Sequence, residues 1–287
     1  MSNQLTTSLS ADVVAPTVAF GTGTAWYTGS NDGPINRKLV ESIKEALKMG
    51  YRHLDTAEMY GTEKDVGLAI EESEIPRDQL FVTTKIRSTI GNPKKGLQES
   101  LARLKLDYID LYLIHSPLFN KESHGISLEE AWKEMENLVD QGLARAIGVS
   151  NFQIKDLDVL LPSARIKPVV NQIEFHPYLQ SRELIAYTKK HGILTEAYGG
   201  LVPIVFKPGG PVDAVVDEIA KKYSKVASQV LLRWSVQKGN MVVTTSTKPH
   251  RLTEFLQLDT FKLTDEEVER IDATGNELEF RQFLPRK

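Results

Sequence analysis

Tyr51-Arg52-His53-Leu54-Asp55, Leu80-Phe81-Val82-Thr83-Thr84-Lys85 and Ile109-Asp110-Leu111-Tyr112-Leu113-Ile114-His115 are three short apolar runs, each closed by an ionisable residue. The closing residues, Asp55, Lys85 and His115, are spaced 30 residues apart. A strand plus the crossover helix that returns the chain to the next parallel strand takes about 30 residues. A carboxylate, an amine and an imidazole thus recur at one phase of three successive βα units, which a random scatter of polar residues would not do.

Five similar runs extend the pattern. Thr17-Val18-Ala19-Phe20 precedes the three; Leu143 to Val149, Pro168 to Gln172, Ile193 to Ala197 and Met241 to Thr244 follow them. All eight are short and rich in β-branched residues, as strands are. Helical patterns lie between them. Leu39, Ile43, Ala46 and Leu47 form an amphipathic stripe. Ser127 with Glu130, and Thr264 with Glu267, have the spacing of capping boxes. Gly50, Gly142 and Gly192 each stand just before a strand run, where glycine supplies the left-handed conformation that ends a helix.

Eight strands alternating with helices predict an α/β (β/α)8 barrel, a TIM barrel, and one barrel domain over residues 1–287. A doubly wound sheet would show a glycine fingerprint after its first strand. Gly21-Thr22-Gly23 follows the first run, but Trp26 occupies the third glycine position, so the segment reads as a turn. Residues 1 to 16 are expected to form a hairpin closing the barrel bottom. The long gap from Ala197 to Met241 predicts an extra helix. Lys207-Pro208-Gly209-Gly210-Pro211 reads as a mobile loop over the barrel mouth.

Bulk properties narrow the function. The chain has 287 residues, 41% hydrophobic and 25% charged, with a formal net charge of −3. That charge is too small to imply nucleic acid or an anionic membrane as a partner. No apolar stretch approaches the roughly 20 residues that span a bilayer. Met1 to Ser10 lacks the layout of a signal peptide. The absence of cysteine excludes disulfides, thiolate metal sites and a cysteine nucleophile, and fits a cytoplasmic protein. His53, His124, His176, His191 and His250 show no metal-ligand spacing.

In a barrel of this kind the strand ends converge on one face, where active sites lie. Asp55, Lys85 and His115 are predicted to meet there, joined by Tyr60 from the loop after Asp55. An ammonium beside a phenol favours the phenolate, and a carboxylate keeps that ammonium charged and fixed. A tyrosine tuned in this way acts as a general acid, and a neighbouring histidine donates to an oxygen gaining charge. The set suits proton delivery to a carbonyl oxygen. Singly, each residue has a plainer reading: an ion pair, a half-buried tyrosine, a core histidine. Their joint recurrence favours the chemical one.

Read together, these segments closely resemble the aldo-keto reductase family. Leu54-Asp55-Thr56-Ala57-Glu58-Met59-Tyr60-Gly61 looks like the family's motif around its catalytic Asp and Tyr. Thr83-Thr84-Lys85 and Asp107 to His115 match the lysine and histidine segments. Gly148-Val149-Ser150-Asn151-Phe152 and Asn171-Gln172-Ile173-Glu174-Phe175-His176-Pro177 match two cofactor-side motifs. The resemblance runs from about Val18 to the helix after Thr264. His115-Ser116-Pro117 and the residues around Thr244 look closest to fungal ketone and α-dicarbonyl reductases (conjugated polyketones and α-keto esters).

The resemblance implies NADPH-dependent reduction of aldehydes and ketones to alcohols. Tyr60 would be the general acid, Lys85 would lower its pKa, Asp55 would pair with Lys85, and His115 would orient the carbonyl. Ser150, Asn151 and Gln172 would hydrogen-bond the nicotinamide carboxamide and Tyr198 would stack on its ring. Ser246, Thr247, Lys248 and Arg251 would bind the 2′-phosphate, two cations beside an anion. Thr24, 31 residues before Asp55, is assigned to the cofactor side at the same phase on strand one. Trp26, Tyr27, Ser116 and Phe119 are placed in the substrate pocket by their loops. A monomer is the family default.

The chain departs from the pattern in places. Val243-Thr244-Thr245 replaces an Ile-Pro-Lys run, putting Thr245 where a phosphate-binding lysine stands. Gly199-Gly200 replaces Ser-Pro, implying a looser cofactor-covering loop. Ser116 replaces a Trp, opening the pocket, and a short tail after Gly275 implies a reduced C-terminal loop. Two other functions remain open at this point. One is a non-catalytic, NADPH-sensing regulatory subunit; the other is a phosphate-handling isomerase barrel with no nicotinamide contacts.

Overall fold

A computed structural model describes residues 5–283. Every strand run forms a strand. An antiparallel hairpin comes first, β1 (Thr6–Ser8) and β2 (Val14–Pro16). Eight parallel strands follow: β3 (Val18–Gly21), β4 (His53–Asp55), β5 (Phe81–Ile86), β6 (Ile109–Ile114), β7 (Ala144–Ser150), β8 (Val170–Glu174), β9 (Leu194–Tyr198) and β10 (Met241–Thr244). They pair in sequence order, and β10 closes the barrel onto β3.

The helix signals act locally as their chemistry requires. Leu39, Ile43, Ala46 and Leu47 are all buried on the inner face of the helix Arg37–Met49. Both capping boxes form, Ser127 with Glu130 and Thr264 with Glu267. Gly50, Gly142 and Gly192 have φ of 115°, 70° and 75°, a region that L side chains adopt only with strain. Three helices, Val202–Phe206, Val212–Tyr223 and Ala227–Gln237, fill the long gap before β10.

The barrel interior divides along its axis. Phe81, Val170 and Met241 begin their strands and pack with Leu111, Leu113 and Ala146. Leu9, Val13 and Ala15 of the hairpin belong to the same cluster, so the hairpin seals the end at which the strands start. Nearer the other end the inward residues turn polar: His53, Asp55, Thr83, Lys85, Gln172 and Glu196 are all buried. Lys207 to Pro211 makes contacts with its surroundings. The Gly209 N–H donates to Asp213 Oδ2 (2.6 Å), and a Cβ at Gly210 would fall 2.3 Å from the Tyr178 hydroxyl.

Strand register corrects the phase argument. Asp55 pairs with Thr83, and Lys85 pairs with Leu113. The 30-residue spacing is therefore the register plus a two-residue step. Two residues preserve the side a strand residue faces, so Asp55, Lys85 and His115 share the inner face without sharing a level. On β3 the partner of Asp55 is Gly21. Thr24 is not at that phase: it lies exposed in the turn beyond the strand.

Candidate active site

The predicted quartet meets at the C-terminal mouth. Lys85, fully buried, donates from Nζ to Asp55 Oδ1 (2.7 Å), the Thr56 carbonyl (2.8 Å) and the Tyr60 hydroxyl (3.3 Å). An ammonium has three N–H bonds, and all three are committed. Tyr60 ends the 3-10 turn Glu58–Tyr60, which Gly61 reverses at φ 71°. Its ring lies edge-on to His115, centroids 5.3 Å apart, with Lys85 Nζ 4.8 Å from the ring centroid. Gly23 makes room for it, since a Cβ there would sit 2.8 Å from Tyr60 Cζ.

The Tyr60 hydroxyl is shifted up, not down. Burial is the largest cause; Lys85 opposes it, and Asp55 and Glu196 add to it. Lys85 thus acts in the expected direction and loses to desolvation. A phenol that stays protonated suits a proton donor. His115 is pushed well below the usual imidazole range by burial, then by Lys85 and Arg87. It is neutral, with one N–H. Its Nδ1 is buried and has no partner among the described residues. A lost donor costs more there than an idle lone pair, which puts the proton on Nε2.

Ser150, Asn151 and Gln172 occupy adjoining strand ends, as expected. Asn151 is left-handed at φ 63°, a region asparagine tolerates. Its Nδ2 donates to the His115 carbonyl (3.0 Å) and Ser150 Oγ (2.9 Å), and its Oδ1 accepts from the Tyr198 hydroxyl (2.7 Å). Gln172 Nε2 donates to Asp55 Oδ2 and Glu196 Oε2, both at 2.8 Å. Two carboxyl groups at one end of the amide require its NH2 there, leaving Oε1 as the atom free for a ligand.

Glu196 was not singled out from the sequence. It is fully buried, and its Oε1 has no partner among the described residues. The nearby His53 cannot help. Burial lowers the His53 pKa to about 4. Its Nδ1 faces the Pro16 carbonyl (3.1 Å), an acceptor, so the proton sits there; Nε2 then accepts from Thr83 Oγ1 (2.9 Å). Burial first, and Asp55 second, push the Glu196 carboxyl up to about 7.

The later strands build the other side of the mouth. Ser246, Thr247, Lys248 and Arg251 follow β10 at the start of the helix Pro249–Leu256. Lys248 and Arg251 are exposed, and among the described residues neither side-chain cation has a protein partner. Uncommitted cations and a free Gln172 Oε1 fit a cofactor with an anionic end and a carboxamide. Thr247 and Trp26 line a cleft of about 390 Å³ with Lys38, Ser42 and Leu252. Tyr27 is exposed, its ring 6.4 Å from that of Tyr60. Ser116 and Phe119 line a second cleft, beyond His115.

The short tail still reaches the mouth. Glu174, buried at the end of β8, accepts the N–H groups of Gln282 (2.7 Å) and Phe283 (2.9 Å) and is bonded to His176 Nε2 (3.1 Å). The Phe283 ring meets Tyr198 edge-on at 5.8 Å. Gly199, at φ 73°, lies beneath it; a Cβ there would be 3.3 Å from the Phe283 ring. Gly199 thus leaves room for the tail.

The Aldo/keto reductase family pattern matches residues 19–203 and 210–276. The chain is 41% identical over 271 residues to an NAD/NADP-dependent indole-3-acetaldehyde reductase of Schizosaccharomyces pombe, covering 94% of this chain and 95% of that one. It is 44% identical over 276 residues to an NADPH-dependent alpha-keto amide reductase of Saccharomyces cerevisiae, covering 92% and 88%. The crystal structure of a Bombyx mori aldo-keto reductase in complex with NADP superposes with a TM-score of 0.86 at 35% identity, covering 96% of this chain and 94% of that one.

Proposed function

The chain belongs to the aldo/keto reductase family, and we propose from that premise that it reduces aldehydes and ketones, α-dicarbonyl and α-keto ester compounds among them, to alcohols with NADPH. The observation that carries the reading is the Tyr60 hydroxyl held 3.3 Å from a Lys85 ammonium that Asp55 fixes in turn. When bound, NADPH supplies the hydride. His115 donates from Nε2 to the carbonyl oxygen, and Tyr60 passes its proton to that oxygen as negative charge gathers there. The tyrosinate left behind faces the Lys85 ammonium until solvent returns the proton.

Ser150, Asn151 and Gln172 would hold the carboxamide, with Gln172 Oε1 accepting from its NH2; Tyr198 would stack on the ring. Lys248 and Arg251, with Ser246 and Thr247, would take the 2′-phosphate. No helix among the described residues is long and apolar enough to cross a membrane. We place the chain as one catalytic unit and a monomer of the cytoplasm, with small carbonyl compounds and no nucleic acid as partners. A cofactor-sensing subunit without turnover draws no support from a site in which all four groups are assembled.

Tyr60→Phe is the direct test. General acid catalysis contributes about 10²- to 10⁴-fold, so NADPH oxidation with a carbonyl panel should fall by at least that lower figure. Retention of full activity would remove Tyr60 from its role.

A further inference from the structure

We propose that Arg87 forms an anion subsite beside His115, and that the enzyme favours carbonyl substrates carrying a carboxylate a few bonds from the carbonyl, the oxo acids. The proposal rests on the carbonyl-reductase reading above and names the substrate class for it.

Arg87 is the first residue past the end of β5, two residues after Lys85. The His115 N–H donates to the Ile86 carbonyl (2.9 Å). Ile86 pairs with Ile114, so Arg87 stands beside His115 where the paired strands end, and Ser116 follows His115. Arg87 and Ser116 both line the second cleft, of about 220 Å³, together with Ser88, Ile90, Phe119 and His124. No carboxylate lines it. Glu58 is close by, but its Oε2 is occupied by the backbone N–H groups of Arg87 (2.8 Å) and Ser88 (2.9 Å).

The other arginines among the described residues are nearly all committed. Among the described residues, only Arg87 and Arg251 have a guanidinium with no hydrogen-bond or ion-pair partner. Arg251 stands where a cofactor phosphate is expected, so Arg87 is the one left over at the substrate end. A second group points the same way. Ser116 is only 5% exposed, and its hydroxyl has no protein partner although it lines the cleft. A fork of N–H donors with an idle hydroxyl matches the planar, two-oxygen face of a carboxylate. A carbonyl held by Tyr60 and His115 would carry its acid group toward them.

The test compares 2-oxobutanoate and 4-oxopentanoate with their ethyl esters in wild type, Arg87→Met and Arg87→Lys, by NADPH oxidation. A hydrogen bond to a charged group lost in this way corresponds to about a 10- to 100-fold change. The ratio of kcat/KM for acid over ester should fall by that factor in Arg87→Met, mainly through KM. Arg87→Lys keeps the charge without the fork and should fall between. The wild-type ratio should stay flat from pH 6 to 9, because guanidinium does not titrate there; a ratio rising toward acid pH would move the anion to an imidazole, His124 of the same cleft or His115, and overturn the assignment. Equal ratios in wild type and Arg87→Met, with unchanged thermal midpoints, would also overturn it. Ester turnover with an unaltered ratio sinks only the subsite, whereas no turnover of any carbonyl sinks the reductase reading itself.

Discussion

Replacing Glu196 with glutamine should make the protein's stability less sensitive to pH. In the fold the Glu196 carboxyl rises from its usual 4.5 to about 7, because it is buried beside Asp55 and its Oε1 finds no donor. Below pH 4.5 the carboxyl is protonated in both states and nothing is lost. Above it the unfolded chain ionises while the folded one keeps its proton. Stability therefore drains as pH rises through about 7 and levels off beyond. The gap is about 2.5 pH units at about 1.36 kcal/mol each, roughly 3 kcal/mol in all. Glutamine can still accept from Gln172 Nε2 through its own Oε1, so the bond at 2.8 Å survives. Titrating groups that Glu196 does not touch are common to both proteins and cancel, and its partners Asp55, Lys85 and Tyr60 ionise outside the range from pH 5 to 8 in their unfolded forms. Urea unfolding followed by tryptophan fluorescence at pH 5, 6, 7 and 8 reads the difference directly. Glu196→Gln should gain on wild type by about 2 to 3 kcal/mol between pH 5 and pH 8. Parallel stability curves across that range would refute the argument. The same substitution removes a charge that raises the Tyr60 pKa, so the alkaline fall in the reduction rate should move to lower pH.

Two further outcomes test the frame around the acid. Arg251→Ala should raise the KM for NADPH about 10- to 100-fold while leaving that for NADH nearly unchanged, the value of a charge-assisted bond to a phosphate; equal effects on the two cofactors in steady-state kinetics would remove Arg251 from the phosphate. Gly23→Ala places a Cβ 2.8 Å from Tyr60 Cζ, so kcat should drop at least tenfold with the thermal midpoint within a few degrees of wild type, and an unchanged kcat would show that the ring has room to yield.

Much of this architecture was legible because its signals are local. An apolar run bounded by turn residues forms a strand whatever lies far away, and a serine three residues before a glutamate caps a helix with its own side chain. Register is not local. The interval between Asp55 and Lys85 counts helix and loop as well as strand, so it preserves the inner face yet mistakes the level, and it sent Thr24 to a position that Gly21 holds. Two of the missed residues share one trait. Glu196 and Glu174 are polar residues on the inward parity of barrel strands, at even steps from Tyr198 and Gln172. A charge at such a position inside an otherwise apolar run was the available signal. Arg87 lies one residue past the end of β5, where the run itself carries no such signal. For Trp26 the sequence gives less, because a loop residue's direction depends on its neighbours in space, here Thr247 and Leu252.

The buried network also explains why the two sides of the mouth cannot vary independently. Asp55 accepts from Lys85 through Oδ1 and from Gln172 through Oδ2. One carboxylate therefore fixes the ammonium beside the proton donor and, through the other oxygen, the amide expected to hold the carboxamide. Glu196 takes the second N–H of that amide, so the amide cannot flip without facing its oxygen toward two carboxyl groups. Burial makes such a reversal costly, since unpaired polar groups forfeit their hydration with no return. A single shift of Asp55 would therefore disturb Tyr60 and Gln172 together. Proton delivery and cofactor orientation are set by the same few hydrogen bonds, and the sealed interior below them gives those bonds no alternative partners.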